Sequence, residues 1–417
     1  MANDYPPSPD KPIIVLTPPS QSPDGPVPLQ PQESSRGSHI PALDAIRGLA
    51  ILLVTGGRFF TDDHAETWPQ RVLFKLSSLG EHGVDLFFVL SGFLITGILF
   101  DAKEHDRRYF RNFYVRRTLR IFPLYYGVLL FTFVLLPWLS PTRLSTYAHI
   151  EEQQAWLWLY GTNIYQTWQK SWALGSFNHF WSLAVEEHFY LVWPLVIFWC
   201  SRTQAMWLCL ACAGVAVACR LGFLILANNT VAAEALTCCR MDALAIGSWV
   251  ALAARGTSGM RGLARGAAWG MLLGVGVILG LVIVNTLVTR LPDGVLTLRT
   301  TAYGFLFGGM IVSAVLAVPA GWAGRLWNSR FLRFFGKYSY GLYVFQVPLV
   351  PLIDFIASPD YLAAQLGSRL AARAVYTLLA ISITVLVALV SWHAYEKHFL
   401  KLKDILAGSK RDLVGSR

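Results

Sequence analysis

Charge is what this sequence has least of. Only 14% of its 417 residues are Asp, Glu, Lys or Arg, where soluble domains carry nearer ~25%. With 54% hydrophobic residues, that scarcity excludes an ordinary soluble enzyme and makes lipid the solvent of most of the chain. Cysteine is equally confined: all six lie between Cys200 and Cys239. Cys209, Cys212 and Cys219 fall inside an apolar run, where a thiol behaves as a small hydrophobe. The CxxC pair Cys209 and Cys212 has no second ligand pair beside it, so no metal site is expected. Cys238 and Cys239 are adjacent in what reads as a loop, and nothing requires them to oxidise. The N-terminal stretch has no apolar core or small-residue cleavage site, which argues against a secretory signal peptide. Acidic residues number 25 against 35 basic ones. The resulting charge of +10 is read first as membrane topology, ahead of any nucleic-acid partner.

What the chain has in abundance is apolar runs. They fall at roughly 43–60, 83–100, 121–139, 186–201, 205–227, 240–256, 266–288, 300–320, 338–358 and 373–395. Each approaches the ~20 residues that span a bilayer. The expected fold is all-α, a polytopic membrane bundle of about ten transmembrane helices occupying residues 41–400. Residues 1–40, rich in Pro, Ser and Asp, read as a disordered cytoplasmic tail, and 401–417 as a basic cytoplasmic tail. The piece at 155–168, AWLWLYGTNIYQTW, is too short and polar to span and reads as interfacial or re-entrant. Loop charge tests the count. With the N-terminus inside, 23 of the 35 Lys and Arg fall in inner segments and seven in outer loops. That alternating bias predicts both termini in the cytoplasm of a multi-pass plasma (inner) membrane protein.

Ionisable residues inside such runs are costly and usually have a task. Asn178–Pro194, NHFWSLAVEEHFYLVWP, carries Glu186 and Glu187 at the mouth of an apolar run. A helix through His179 would place it on the face of Glu186, about two turns away, with Glu187 about 100° aside. The two carboxylates are also readable as a helix N-terminal pair satisfied by water and the helix dipole. In LDAIRGLAILLVTGGRFF, Asp44 and Arg47 are spaced to pair. Arg58 follows eleven residues on, nearly the same face ~16 Å along. Both arginines face a polar interior on one reading and snorkel to the interfaces on the other. Asp85 opens the second run, and its Ser91, Gly92 and Thr96 serve either close helix packing or a cavity wall. Serine as a nucleophile would need a base within hydrogen-bond reach. Arg116, Arg117 and Arg120 repeat at helical spacing among Phe and Tyr. They suit a phosphorylated ligand or anionic headgroups, or plain positive-inside anchoring. Arg240 and Asp242 open a later span, and Tyr340, Tyr343 and Gln346 form a polar stripe.

Six stretches in order, LDAIRGLA, GVDLFFVLSGFLIT, FYVRRTLRIFPLYY, NHFWSLAVEEHFYLVWPL, RMDALAIG and YSYGLYVFQVPL, resemble the membrane acyltransferase 3 family over about 43–400. The resemblance implies a ten-helix membrane enzyme that moves an acyl group, acetyl first, from cytoplasmic acyl-CoA to a hydroxyl of a carbohydrate or lipid-linked acceptor. The residues themselves give no reason to expect a metal or a nucleic-acid partner. Arg47, Ser91, Arg116, Arg117, Arg120, Trp181, Glu186, Tyr190, Arg240 and Asp242 match the family's motif positions. Two positions depart from the pattern. The family's first-helix histidine, its presumed catalytic group, is Arg58 here, and a later histidine is Gln346. Arginine does not give up its proton near neutrality. The expected assignment is therefore Glu186 or His179 as base, with Arg58 steadying an oxyanion or binding an anionic group. Arg47, Arg116, Arg117 and Arg120 would hold acyl-CoA, and Ser91, Trp181, Tyr190, Arg240, Asp242 and Gln346 the acceptor. The competing expectation is a catalytically silent relative, or a transporter, that binds or moves an acylated or lipid-linked ligand.

Overall fold

Among the described residues, ten helices of 16 residues or more carry the fold, one beginning in or just before each apolar run. They are α1 (Pro41–Phe59), α2 (Gly83–Ala102), α3 (Tyr109–Leu130), α4 (Trp181–Trp199) and α5 (Arg202–Ile225). Then come α6 (Thr237–Ala253), α7 (Ala264–Leu287), α8 (Leu298–Leu316), α9 (Arg330–Phe345) and α10 (Arg369–Ser391). The computed structural model describes residues 40–62, 67–139, 148–287, 295 and 297–406. The Pro-rich stretch up to residue 39 and the end of the basic tail from 407 on lie outside the described residues. No strand occurs among the described residues, and the chain is a multi-pass helical membrane protein.

Among the described residues, seven helical segments are long and apolar enough to cross a bilayer, and an eighth if a bent pair counts as one. The bent pair is α9 with the helical stretch 350–366, at 85°. Pro348 and Pro351 stand at the break, where each removes a backbone donor. The two remaining helices, α1 and α4, are 19 residues long each. Length is not what sets them apart. Asp44, Arg47 and Arg58 interrupt α1, and Glu186, Glu187 and His188 interrupt α4. In α3 the arginines cluster before the apolar stretch, whereas in α1 and α4 the charged side chains fall within the stretch that would have to span.

Two close crossings hold the centre. A Cβ on Gly48 would fall 1.8 Å from the Leu332 carbonyl oxygen, and one on Gly336 1.8 Å from that of Asp44. Thus α1 and α9 touch backbone to backbone. At the second crossing, α2 on α6, a Cβ on Gly92 would meet the Leu244 oxygen at 2.0 Å, and one on Gly247 the Val89 oxygen at 1.9 Å. Lipid offers no hydrophobic drive between helices, so close packing of small residues does this work. Next to Gly92, Thr96 accepts a hydrogen bond from the Trp193 indole at 2.7 Å, tying α4 to α2.

The piece at 155–168 forms two short helices, Gln154–Trp158 and Thr162–Gln169, that do not span. Cys238 and Cys239 lie in the first turn of α6, where a loop was expected. Past α10 the backbone widens to π-helical geometry over Trp392–Glu396. That turn brings Glu396 inward, 8% exposed, where it accepts from Ser391 at 2.9 Å.

Candidate active site

Helices α1, α2, α3, α4 and α9 line a first, partly open cavity of about 100 Å³. Its cations are Arg47, Arg117 and Arg120, and its carboxylates Glu186 and Glu187. Arg47 is paired with Asp44, one turn back on α1, at 2.9 Å. The Ser91 hydroxyl donates to Glu186 Oε1 at 2.6 Å, and the Tyr190 hydroxyl donates to the Ser91 oxygen at 3.2 Å. The Arg117 guanidinium stands over the Tyr190 ring at 5.0 Å, within the range of a cation–π contact. Tyrosine, serine and carboxylate thus form one relay beneath a positive ceiling. Buried Glu187 Oε1 has no hydrogen-bond partner among the described residues.

A second cavity, about 370 Å³, is lined by Arg58, Glu81, Trp172, Asn178, His179, Trp181, Glu234 and Gln346. It shares Val84 and Tyr343 with the first. The Tyr343 hydroxyl donates to the His179 carbonyl at 2.9 Å and lies 2.5 Å from Ser182 Oγ. That buckle is the wall between the two cavities. His179 is 5% exposed, and neither ring nitrogen has a hydrogen-bond partner among the described residues. Burial, with the nearby charge of Arg58, pushes its imidazole down to about 3. The ring is therefore neutral across the physiological range. Gln346, 1% exposed, accepts a long hydrogen bond from Thr55 at 3.4 Å.

A third cavity, about 280 Å³, adjoins the second along Glu81, Val84, Trp181 and Glu234. Here Asp85 is held by Arg240 and by His82 Nδ1, the latter at 2.9 Å. The His82 ring stacks on Tyr303 at 3.9 Å, and Arg240 stands over Trp181 at 5.4 Å. Arg299 also lines this space.

A family profile described as an acyltransferase domain matches residues 40–393. The chain belongs to this family. Among curated relatives, YrhL of Bacillus subtilis, named for a proposed peptidoglycan O-acetyltransferase activity, is 32% identical over 166 residues, 38% of this chain and 24% of its own. The peptidoglycan O-acetyltransferase OatA of Listeria monocytogenes is 30% identical over 163 residues, 37% of this chain and 24% of its own. The O-acetyltransferase OatA of Staphylococcus aureus is 31% identical over 169 residues, 38% of this chain and 25% of its own. The matched stretch spans about a quarter of the length of these relatives. No solved structure matches the chain.

The fold of this acyltransferase-family chain sorts the expected site residues. Arg47, Ser91, Arg117, Arg120, Glu186 and Tyr190 meet in the first cavity. Arg116 is exposed on α3 and lines none of the three cavities. Arg58, His179 and Gln346 meet in the second, Arg240 lines the third, and Trp181 lines both. Asp242 is fully buried outside all three: Arg220 reaches it at 2.8 Å and Thr301 at 2.7 Å, so its carboxylate joins α5, α6 and α8. One geometric expectation is corrected. His179 and Glu186 do not share a helix face, because Gly175–Phe180 is a 3-10 turn and α4 begins only at Trp181. The sequence reading missed His82, Glu234 and Arg299. No periodic signal marks them, since they come from segments distant in the chain. Tyr343 was legible as part of a polar stripe, but its place between two cavities was not.

Proposed function

We propose that this chain is a membrane O-acyltransferase that moves an acyl group, acetyl first, from acyl-CoA to a hydroxyl of a carbohydrate. One observation carries the reading: a carboxylate, Glu186, already holding a hydroxyl proton, faces Arg47, Arg117 and Arg120 across one cavity. Arginine forks suit the phosphates of a CoA donor. Arg120 and Arg117 would grip them, with exposed Arg116 at the rim. Arg47 would stand nearer the thioester. A hydroxyl proton moves to Glu186 as oxygen bonds to the acyl carbon and the carbon–sulfur bond breaks. The second and third cavities, polar and aromatic, would receive the acceptor, with Arg58 binding an anionic group on it. The peptidoglycan named for the relatives makes cell-wall glycan the first acceptor to try. Loop charge supports a donor side facing the cytoplasm, both termini there, and a plasma (inner) membrane location.

The test is purified protein in proteoliposomes given acetyl-CoA and peptidoglycan fragments. Free thiol and acetylated glycan should appear together. Thiol release without any acetylated glycan would overturn the acceptor assignment. A second reading, a silent relative or transporter of an acylated ligand, is favoured by Arg58 and Gln346 standing where the family pattern has histidine. It predicts ligand movement with no thiol release, and gain of CoA hydrolysis in Arg58→His. Loss of activity in that variant would favour a working site that uses Arg58.

A further inference from the structure

Ser91 meets the requirement that a serine nucleophile imposes. Its oxygen lies 2.6 Å from a carboxylate on another helix, 95 residues away in the chain. A serine hydroxyl becomes a useful nucleophile when an adjacent base takes its proton. Were Ser91 only satisfying a buried carboxylate, the pair would have no need of open space. Instead Ser91, Glu186 and Tyr190 all line the first cavity, opposite Arg47 and Arg117.

We infer that Ser91 is an acyl-accepting nucleophile, and that transfer proceeds through an acyl ester on its oxygen. The inference rests on the acyl-CoA reading above. In the first half-reaction Ser91 Oγ bonds to the acyl carbon, its proton passes to Glu186, and the carbon–sulfur bond breaks. The departing thiolate takes that proton and leaves as CoA. In the second half-reaction an acceptor hydroxyl bonds to the same carbon and gives its proton to Glu186. The bond from carbon to Ser91 Oγ breaks, and Ser91 recovers the proton. The Tyr190 hydroxyl steadies the serine oxygen as attacker and as leaving group. Arg47 and Arg117 face the oxyanion of each tetrahedral intermediate. No oxidant, reductant or further reactant enters.

Purified full-length protein with labelled acetyl-CoA, and no acceptor, tests this directly. The expected result is a burst of CoA of about one equivalent per protein, as acyl-enzyme chemistry gives. Label should survive denaturation and map by mass spectrometry to the peptide carrying Ser91. Ser91→Ala should lose both burst and label. Ser91→Cys keeps the label as a thioester that neutral hydroxylamine releases, while the wild-type oxyester resists it. Label on another residue overturns the inference. So does an absent burst and label in protein that releases CoA once peptidoglycan fragments are added; the acyl-CoA reading then stands and transfer is direct. If no CoA is released in either condition, the acyl-CoA reading falls and the inference falls with it.

Discussion

The first and second cavities are built by the same rods at different heights. Helix α1 contributes Arg47 to one and Arg58 to the other, eleven residues and ~16 Å apart along the axis. Helix α9 contributes Tyr340 to the first, and its C-terminal cap Gln346 lines the second. Glu186 of α4 faces the first, and His179, in the turn before α4, faces the second. Their hydrogen bonding differs around Ser91 and His179, although buried Glu187 Oε1 of the first cavity also has no partner among the described residues. In the first, Arg47, Ser91, Glu186 and Tyr190 are already joined to partners. In the second, the buried His179 ring nitrogens are unpartnered and buried Gln346 has one long bond, while Arg58 is exposed. A buried polar group without a partner costs free energy, about 1–3 kcal/mol. The first cavity is arranged in advance for bond-making. The second is arranged to receive a ligand that supplies the missing hydrogen bonds.

That contrast can be broken at four places, in descending order of effect. Glu186→Gln should lower the turnover of thiol release by about 10³-fold, with the helical circular dichroism unchanged. Retained turnover would remove the carboxylate from the chemistry. The double variant Arg117→Ala with Arg120→Ala should raise the KM for acetyl-CoA by about 100-fold, as expected for losing charged hydrogen bonds worth ~1.5–3 kcal/mol each. The KM for the acceptor should move far less. Arg58→Ala should do the reverse, raising the acceptor KM by about tenfold, one such bond's worth, and leaving the donor KM in place. If Arg58→Ala shifts the donor KM instead, the division of labour between the cavities is wrong.

The smallest effect concerns stability. Burial holds the His179 imidazole far below its ordinary value, at about 3. Between that value and ~6.5 the unfolded chain binds a proton that the folded chain refuses. This contribution is therefore fully present above pH ~6.5 and is lost as the pH falls toward 3. His179→Gln should flatten that part of the wild-type decline in unfolding temperature. Parallel curves for the two proteins would mean that His179 is solvated in the folded state.

Much of this was legible along the chain. Scarce charge and ten apolar runs are local properties, and each run holds one long helix, the ninth breaking after Phe345 into a second, bent stretch. The spacing of three between Asp44 and Arg47 announced their ion pair, now 2.9 Å long. Where prediction slipped, the cause was also local. The 3-10 turn at Gly175–Phe180 broke the assumed helical phase between His179 and Glu186, and two prolines bent the ninth run.

By itself, then, the sequence determined the solvent, the number of long helices and which residues share a face of one rod. Helical periodicity is a property of neighbours, and lipid admits few other ways to satisfy a backbone. Only the tertiary structure decided who meets whom between rods. It set Ser91 against Glu186, gave Asp242 to Arg220, and put Tyr343 between two cavities. Those meetings depend on the rotation and depth at which helices cross. Here that is fixed by backbone contact at Gly48, Gly336, Gly92 and Gly247, and each of those contacts depends on a partner far away in the chain.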